Sequence, residues 1–108
     1  MATTYKVLGQ VNPAANTLTT LHTTPAATQT ICSTLTICNQ GVGTTVRVAV
    51  RPSGEAIDPK HYAVYDLPIS TKDTLTLTLG ITLGATDIVS VLAGTATVSF
   101  GLYGSEIV

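Results

Sequence analysis

Apolar and polar residues alternate along most of this chain. Residues 74–83 read Thr-Leu-Thr-Leu-Thr-Leu-Gly-Ile-Thr-Leu. Leu75, Leu77, Leu79, Ile81 and Leu83 share one parity, and Thr74, Thr76, Thr78, Gly80 and Thr82 share the other. Successive side chains of a strand point to opposite faces. The segment therefore predicts one strand with a leucine face in the core and a threonine face turned outward. On a helix the same leucines would scatter round the cylinder and leave no stripe. Val46, Val48 and Val50 alternate in the same way with Arg47, Ala49 and Arg51. Ala96, Val98, Phe100 and Leu102 alternate with Thr97, Ser99, Gly101 and Tyr103.

About eight strands follow, over 5–11, 17–23, 29–39, 44–51, 61–69, 73–83, 87–93 and 95–104. Asn12-Pro13, Thr24-Pro25, Asn39-Gln40-Gly41, Pro52-Ser53-Gly54, Gly84 and Gly94 mark the turns between them. No stretch of ten residues has helical periodicity. The expected fold is all-β: a single antiparallel β-sandwich or jelly-roll-like domain over residues 1–108. Over 61–69 the register stays open, because Ala63, Tyr65 and Leu67 compete with Tyr62 and Val64 for the inside. The Thr-x-Thr pairs recur without a fixed period, which argues against a solenoid and against an ice-binding threonine row.

Composition narrows the function more than the strand pattern does. Thr fills 21 of the 108 positions, and only 10% of residues are charged, with a net charge of −1. Five scattered cations do not make a phosphate-binding surface, so no nucleic-acid partner is expected. No apolar run reaches the ~20 residues of a membrane helix. Met1 to Lys6 lacks the pattern of a signal peptide, so no membrane or secretory role is expected. A hydroxyl-rich, charge-poor surface suits protein–protein contact.

Chemistry-bearing motifs are missing. There is no Gly-x-Ser-x-Gly, no phosphate-binding Gly-rich loop and no His-Glu-x-x-His. Asp73 and Asp87 fall at strand starts, where turn roles predominate. His22 reads as a half-buried strand residue and His61 as an exposed one. Cys32 and Cys38 are six apart; on one strand they share a face about 20 Å apart, beyond the ~7 Å reach of a disulfide. Free, partly buried thiols are expected. No catalytic, cofactor-binding or metal-binding residue is predicted, and the chain reads as no enzyme. Residues 51–60 hold four charges and two prolines. They read as a solvated loop that would serve as a recognition tip if it serves any function.

Taken in order, several segments resemble a known family. They are Tyr5-Lys6-Val7-Leu8-Gly9-Gln10, Leu21-His22-Thr23-Thr24-Pro25-Ala26-Ala27-Thr28, Cys38-Asn39-Gln40-Gly41 and Val46-Arg47-Val48-Ala49-Val50. They continue through Lys60-His61-Tyr62, Tyr65-Asp66-Leu67-Pro68-Ile69, Leu77-Thr78-Leu79-Gly80-Ile81-Thr82-Leu83 and Gly101-Leu102-Tyr103-Gly104-Ser105-Glu106-Ile107. The ordered set resembles small all-β virion structural proteins of tailed phages, especially those of cyanobacteria and other marine bacteria. The resemblance implies a virion part assembled in the host cytoplasm. The leading expectation is a capsid decoration, or cement, protein that stabilises the head. Its partners would be the major capsid protein or other virion proteins, and further copies of itself in a trimer or dimer. A tail, neck, baseplate or fibre-attachment component is the alternative within that class. A glycan-binding module using the 51–60 loop and Tyr62, Tyr65 or Tyr103 is the alternative outside it.

Overall fold

Alternation resolves into nine strands in the computed structural model, which describes residues 2–108. They are β1 (Thr3–Val11), β2 (Thr19–Thr23), β3 (Gln29–Asn39), β4 (Thr44–Arg51), β5 (Tyr62–Ile69), β6 (Thr74–Leu77), β7 (Thr82–Leu83), β8 (Ile88–Ala93) and β9 (Val98–Ile107). Among the described residues the only helical pieces are two single 3₁₀ turns, Pro52–Gly54 and Pro59–His61. The fold is all-β with two antiparallel sheets. The first runs β1–β9–β3–β6, with β7 also paired to β3; the second runs β2–β8–β4–β5.

One apolar core joins the sheets. Leu35, Ile37, Phe100 and Leu102 enter it from the first sheet, and Val46, Val48, Val89 and Val91 from the second. Each of these is at most 2% exposed, and Val46, Val48, Phe100 and Leu102 are the ones that period-two alternation had marked.

Bulges break the alternation elsewhere. On β3, Cys32 pairs with Gly104 but Thr34 pairs with Tyr103, leaving Ser33 as an extra residue. On the other side of β9, Val7 pairs with Tyr103 and Gly9 with Leu102, leaving Leu8 extra at the same level. An extra residue reverses which parity faces inward. Cys32 therefore enters the core while Cys38 points out of the sandwich-facing side, where a regular strand would have put them on one face.

The threonine–leucine ladder is not one strand. Leu77 pairs with Leu35 and Leu83 with Thr30, so six steps along the ladder lie opposite five on β3. Residues 78–81 absorb the mismatch, with Gly80 at φ +66°. Leu83 is buried, Leu75, Leu77 and Ile81 are half-buried, and Leu79 is 41% exposed. Leu83 is in the core and Leu75, Leu77 and Ile81 pack against it, so the expected leucine face fails at Leu79. The last strand also differs, starting at Val98 rather than Thr95. Thr95–Thr97 form a turn in which the Thr97 hydroxyl donates to Asn39 Oδ1 at 2.9 Å and Gln40 N–H donates to the Thr97 carbonyl at 2.8 Å.

The open register of β5 is settled by two further bulges. Val46 pairs with Leu67, Val48 with Val64 and Ala49 with Tyr62. Two steps on β4 thus face three on β5, then one step faces two. Val64 and Leu67 pack on the core, while Tyr62 and Tyr65 turn outward. Residues three apart would face opposite ways on a regular strand.

Candidate functional site

The two sheets present outer faces of unlike chemistry. On the first sheet, register and parity turn Tyr5, Val7 and Gln10 of β1 outward, beside Ser99, Gly101, Tyr103 and Ser105 of β9. Ile31, Thr34, Thr36 and Cys38 of β3 and Thr74 and Thr76 of β6 continue that face. Among the described residues no Asp, Glu, Lys or Arg belongs to it. The charges sit elsewhere. Lys6 and Glu106 pair at 3.1 Å on the opposite parity of their strands. Arg47, Arg51 and Asp66 belong to the second sheet, and the remaining six lie between strands.

This neutral face has relief. Gly101 has no side chain, and a Cβ there would lie 2.8 Å from Thr36 Oγ1 and against the Tyr103 hydroxyl. Beside it lies an open groove of about 460 Å³, bordered by Gln10, Asn12, Thr36, Cys38 and Tyr103. Further along, Tyr5 and Ile31 flank Ser105. Tyr5 is 84% exposed, Val7 50% and Ile31 42%, so an apolar patch adjoins the groove. Sequence reasoning did not single out Tyr5, Val7 or Ile31. Their parity near the Leu8 and Ser33 bulges was the missing information.

The outer face of the second sheet carries a compact polar–aromatic cluster. Arg47 Nε donates to Asp66 Oδ1 at 2.6 Å and Nη2 to Oδ2 at 3.3 Å. The guanidinium lies 4.1 Å from the centre of the Tyr65 ring and 5.8 Å from that of Tyr62. The two rings meet edge to face at 5.1 Å and 80°. The hydrogen bonds from Arg47 hold the Asp66 carboxyl below the usual carboxylate range, and the same pairing raises the guanidinium. Asp66 adopts φ +51°, a left-handed conformation that Asp tolerates better than most residues. With Pro59, these side chains border a second open cleft of about 400 Å³.

The other residues singled out from the sequence have structural partners. His22 is buried rather than half-buried. Its Nδ1 donates to the Leu8 carbonyl at 3.0 Å, and its Nε2 lies 3.2 Å from Thr30 Oγ1 and 3.8 Å from Glu106 Oε2. His61 was expected to be exposed and is buried instead. Asp58 N–H donates to its Nδ1 at 3.0 Å, so Nε2 carries the proton and donates to Glu55 Oε1 at 3.1 Å. These bonds close the 51–60 loop on itself. Arg51 Nη1 adds a bond to the Glu55 carbonyl at 2.9 Å, and Ser53 N–H donates to Asp87 Oδ1 at 2.9 Å. Asp87 and Asp73 therefore serve turns, as expected; Asp73 Oδ1 accepts from Thr74 N–H at 2.8 Å. Burial pushes the Cys32 thiol up to about 11. Tyr103 lies on the first sheet and does not join Tyr62 and Tyr65, so the three tyrosines do not form one site.

No family model matches the chain, and no curated protein or solved structure matches it either.

Proposed function

We propose that this chain is a structural protein of a tailed-phage virion, a capsid decoration protein that docks through the outer face of its first sheet. The observation that carries the reading is the absence of charge from that face among its described residues, in a chain whose other surfaces hold all the charged side chains. Desolvating a charge costs several kcal/mol unless it is paired, so a neutral, hydroxyl-rich face loses little on being covered. Three strands of nine to eleven residues and the four-residue β6, about 4.8 Å apart, offer roughly 550 Å² of footprint. That approaches the ~800 Å² per partner of a standard interface.

The pairing order supports a jelly-roll sandwich within this reading. β4 pairs β5, β3 pairs β6 and β7, β2 pairs β8 and β1 pairs β9. A long antiparallel ribbon rolled up as two Greek keys yields that nesting, and the architecture recurs in viral capsid domains. Fold alone does not assign a role; here it agrees with the motif order quoted above. The chain acts without catalysis. Binding only the assembled shell stabilises that state by mass action. Self-association in trimers or dimers repeats each contact and adds avidity.

Cryo-EM of purified virions tests the reading. Density for this chain in hundreds of copies at capsomer joints supports it. Density confined to the tail, neck or baseplate in a few dozen copies overturns decoration in favour of a tail role.

A further inference from the structure

We propose that the cleft between Arg47, Pro59, Tyr62 and Tyr65 is a binding site for a neutral saccharide. The inference concerns the second sheet and is independent of how the first sheet docks.

The cleft is built by the backbone. The bulge of β5 between Tyr62 and Val64 brings Tyr62 and Tyr65 to one face, and the bulge between Val64 and Leu67 contains Asp66 at φ +51°. Bulges re-aim side chains. The edge-to-face rings form two apolar walls nearly at right angles, and Pro59 forms a third. Tyr65 is 60% exposed, so the walls are open to a ligand. The volume, about 400 Å³, falls within the ~300–1,000 Å³ of small-molecule sites.

The electrostatics select the ligand class. Arg47 is already held by both oxygens of Asp66 and stacked on Tyr65, so its charge is compensated and its position fixed. An anion therefore gains little there, and a second cation would stand beside the guanidinium that already covers one face of Tyr65. What remains is apolar ring surface beside the guanidinium and the two phenolic hydroxyls. A pyranose fits that pattern: its C–H face packs on an aromatic ring, and its hydroxyls accept from N–H and exchange bonds with O–H. The polar rim would give orientation and the rings most of the contact area.

The purified chain is tested on a glycan array, and by saturation-transfer NMR with millimolar methyl glycosides of glucose, galactose, mannose and N-acetylglucosamine. The expected result is retention of at least one neutral glycan, with saturation transferred to its ring C–H protons. Tyr65→Ala should weaken that binding at least tenfold while circular dichroism stays unchanged and Tm falls by only a few degrees. Tyr62→Phe should keep the fold and weaken binding less. Tyr5→Ala, on the other sheet, should bind as the wild type does. Silence in both assays overturns the proposal. So does binding indifferent to Tyr65→Ala, or binding restricted to acidic sugars and abolished by salt.

Discussion

Replacing Gly80 by Thr completes the threonine parity of residues 74–83, and two pictures of that segment predict opposite signs for the change. In a continuous strand, Thr is a better residue than Gly, and the substitution should stabilise by up to ~1 kcal/mol. In the bulged arrangement Gly80 sits at φ +66°, and nothing lies within 4 Å of a Cβ built there. The cost is then conformational and not steric. A left-handed conformation costs an L-residue roughly 1–2 kcal/mol, with β-branched residues at the upper end. An unfolding entropy of about 2.1 cal/mol/K per residue over this length converts that to a fall in Tm of about 4–9 °C. Gly80→Asn should fall less, since Asn tolerates the left-handed region. Differential scanning calorimetry reads both. A Gly80→Thr Tm equal to or above the wild-type value would refute the bulge.

Thiol labelling at pH 8 should give one fast equivalent per native chain, from Cys38 at the groove. Cys32, buried and with its thiol pushed up to about 11, should react only after denaturation; two fast native equivalents would contradict the inward turn of Cys32. Asp66 provides a pH test. Its folded carboxyl titrates below its unfolded value, so its contribution is present above the ordinary aspartate pKa of about 3.9 and is lost as pH falls through the lower folded value. Asp66→Asn should therefore flatten part of the acid limb of a Tm-against-pH curve between pH 5 and 2, and an unchanged limb would show that the Arg47 pairing does not contribute.

Strand positions were legible where alternation runs unbroken, as in β4, whose Val46 and Val48 fill the core. They were illegible where one extra residue reverses parity. Ser33 separates Cys32 from Cys38, and no composition signal marks it, because either side of a bulge still reads as strand. Gly80 did carry a signal, since an isolated glycine in a strand pattern often marks a bulge. The same physics hid the aromatic cluster. Tyr62 and Tyr65 have opposite parity, and only the bulges around them in β5 make them neighbours. His61 was misplaced because its partners, Glu55 and the Asp58 backbone, belong to a loop whose closure local pattern does not encode. The neutral outer face was half visible: scarce charge is a property of composition, but its complete absence from one face depends on topology.

The central claim is that the first sheet's outer face is the docking surface. Gln10 and Thr76 are exposed and stand on its two sides, on β1 and β6, with Gln10 at the Gly101 groove. The direct measurement is occupancy on expanded phage heads, by cryo-EM, for the wild-type chain and for Gln10→Lys combined with Thr76→Lys. The account predicts regular wild-type density facing the shell with the first sheet, and at least a tenfold loss of occupancy for the doubly charged variant at unchanged Tm. Equal occupancy of the variant, wild-type density seated on the second sheet, or no wild-type binding at all would contradict it.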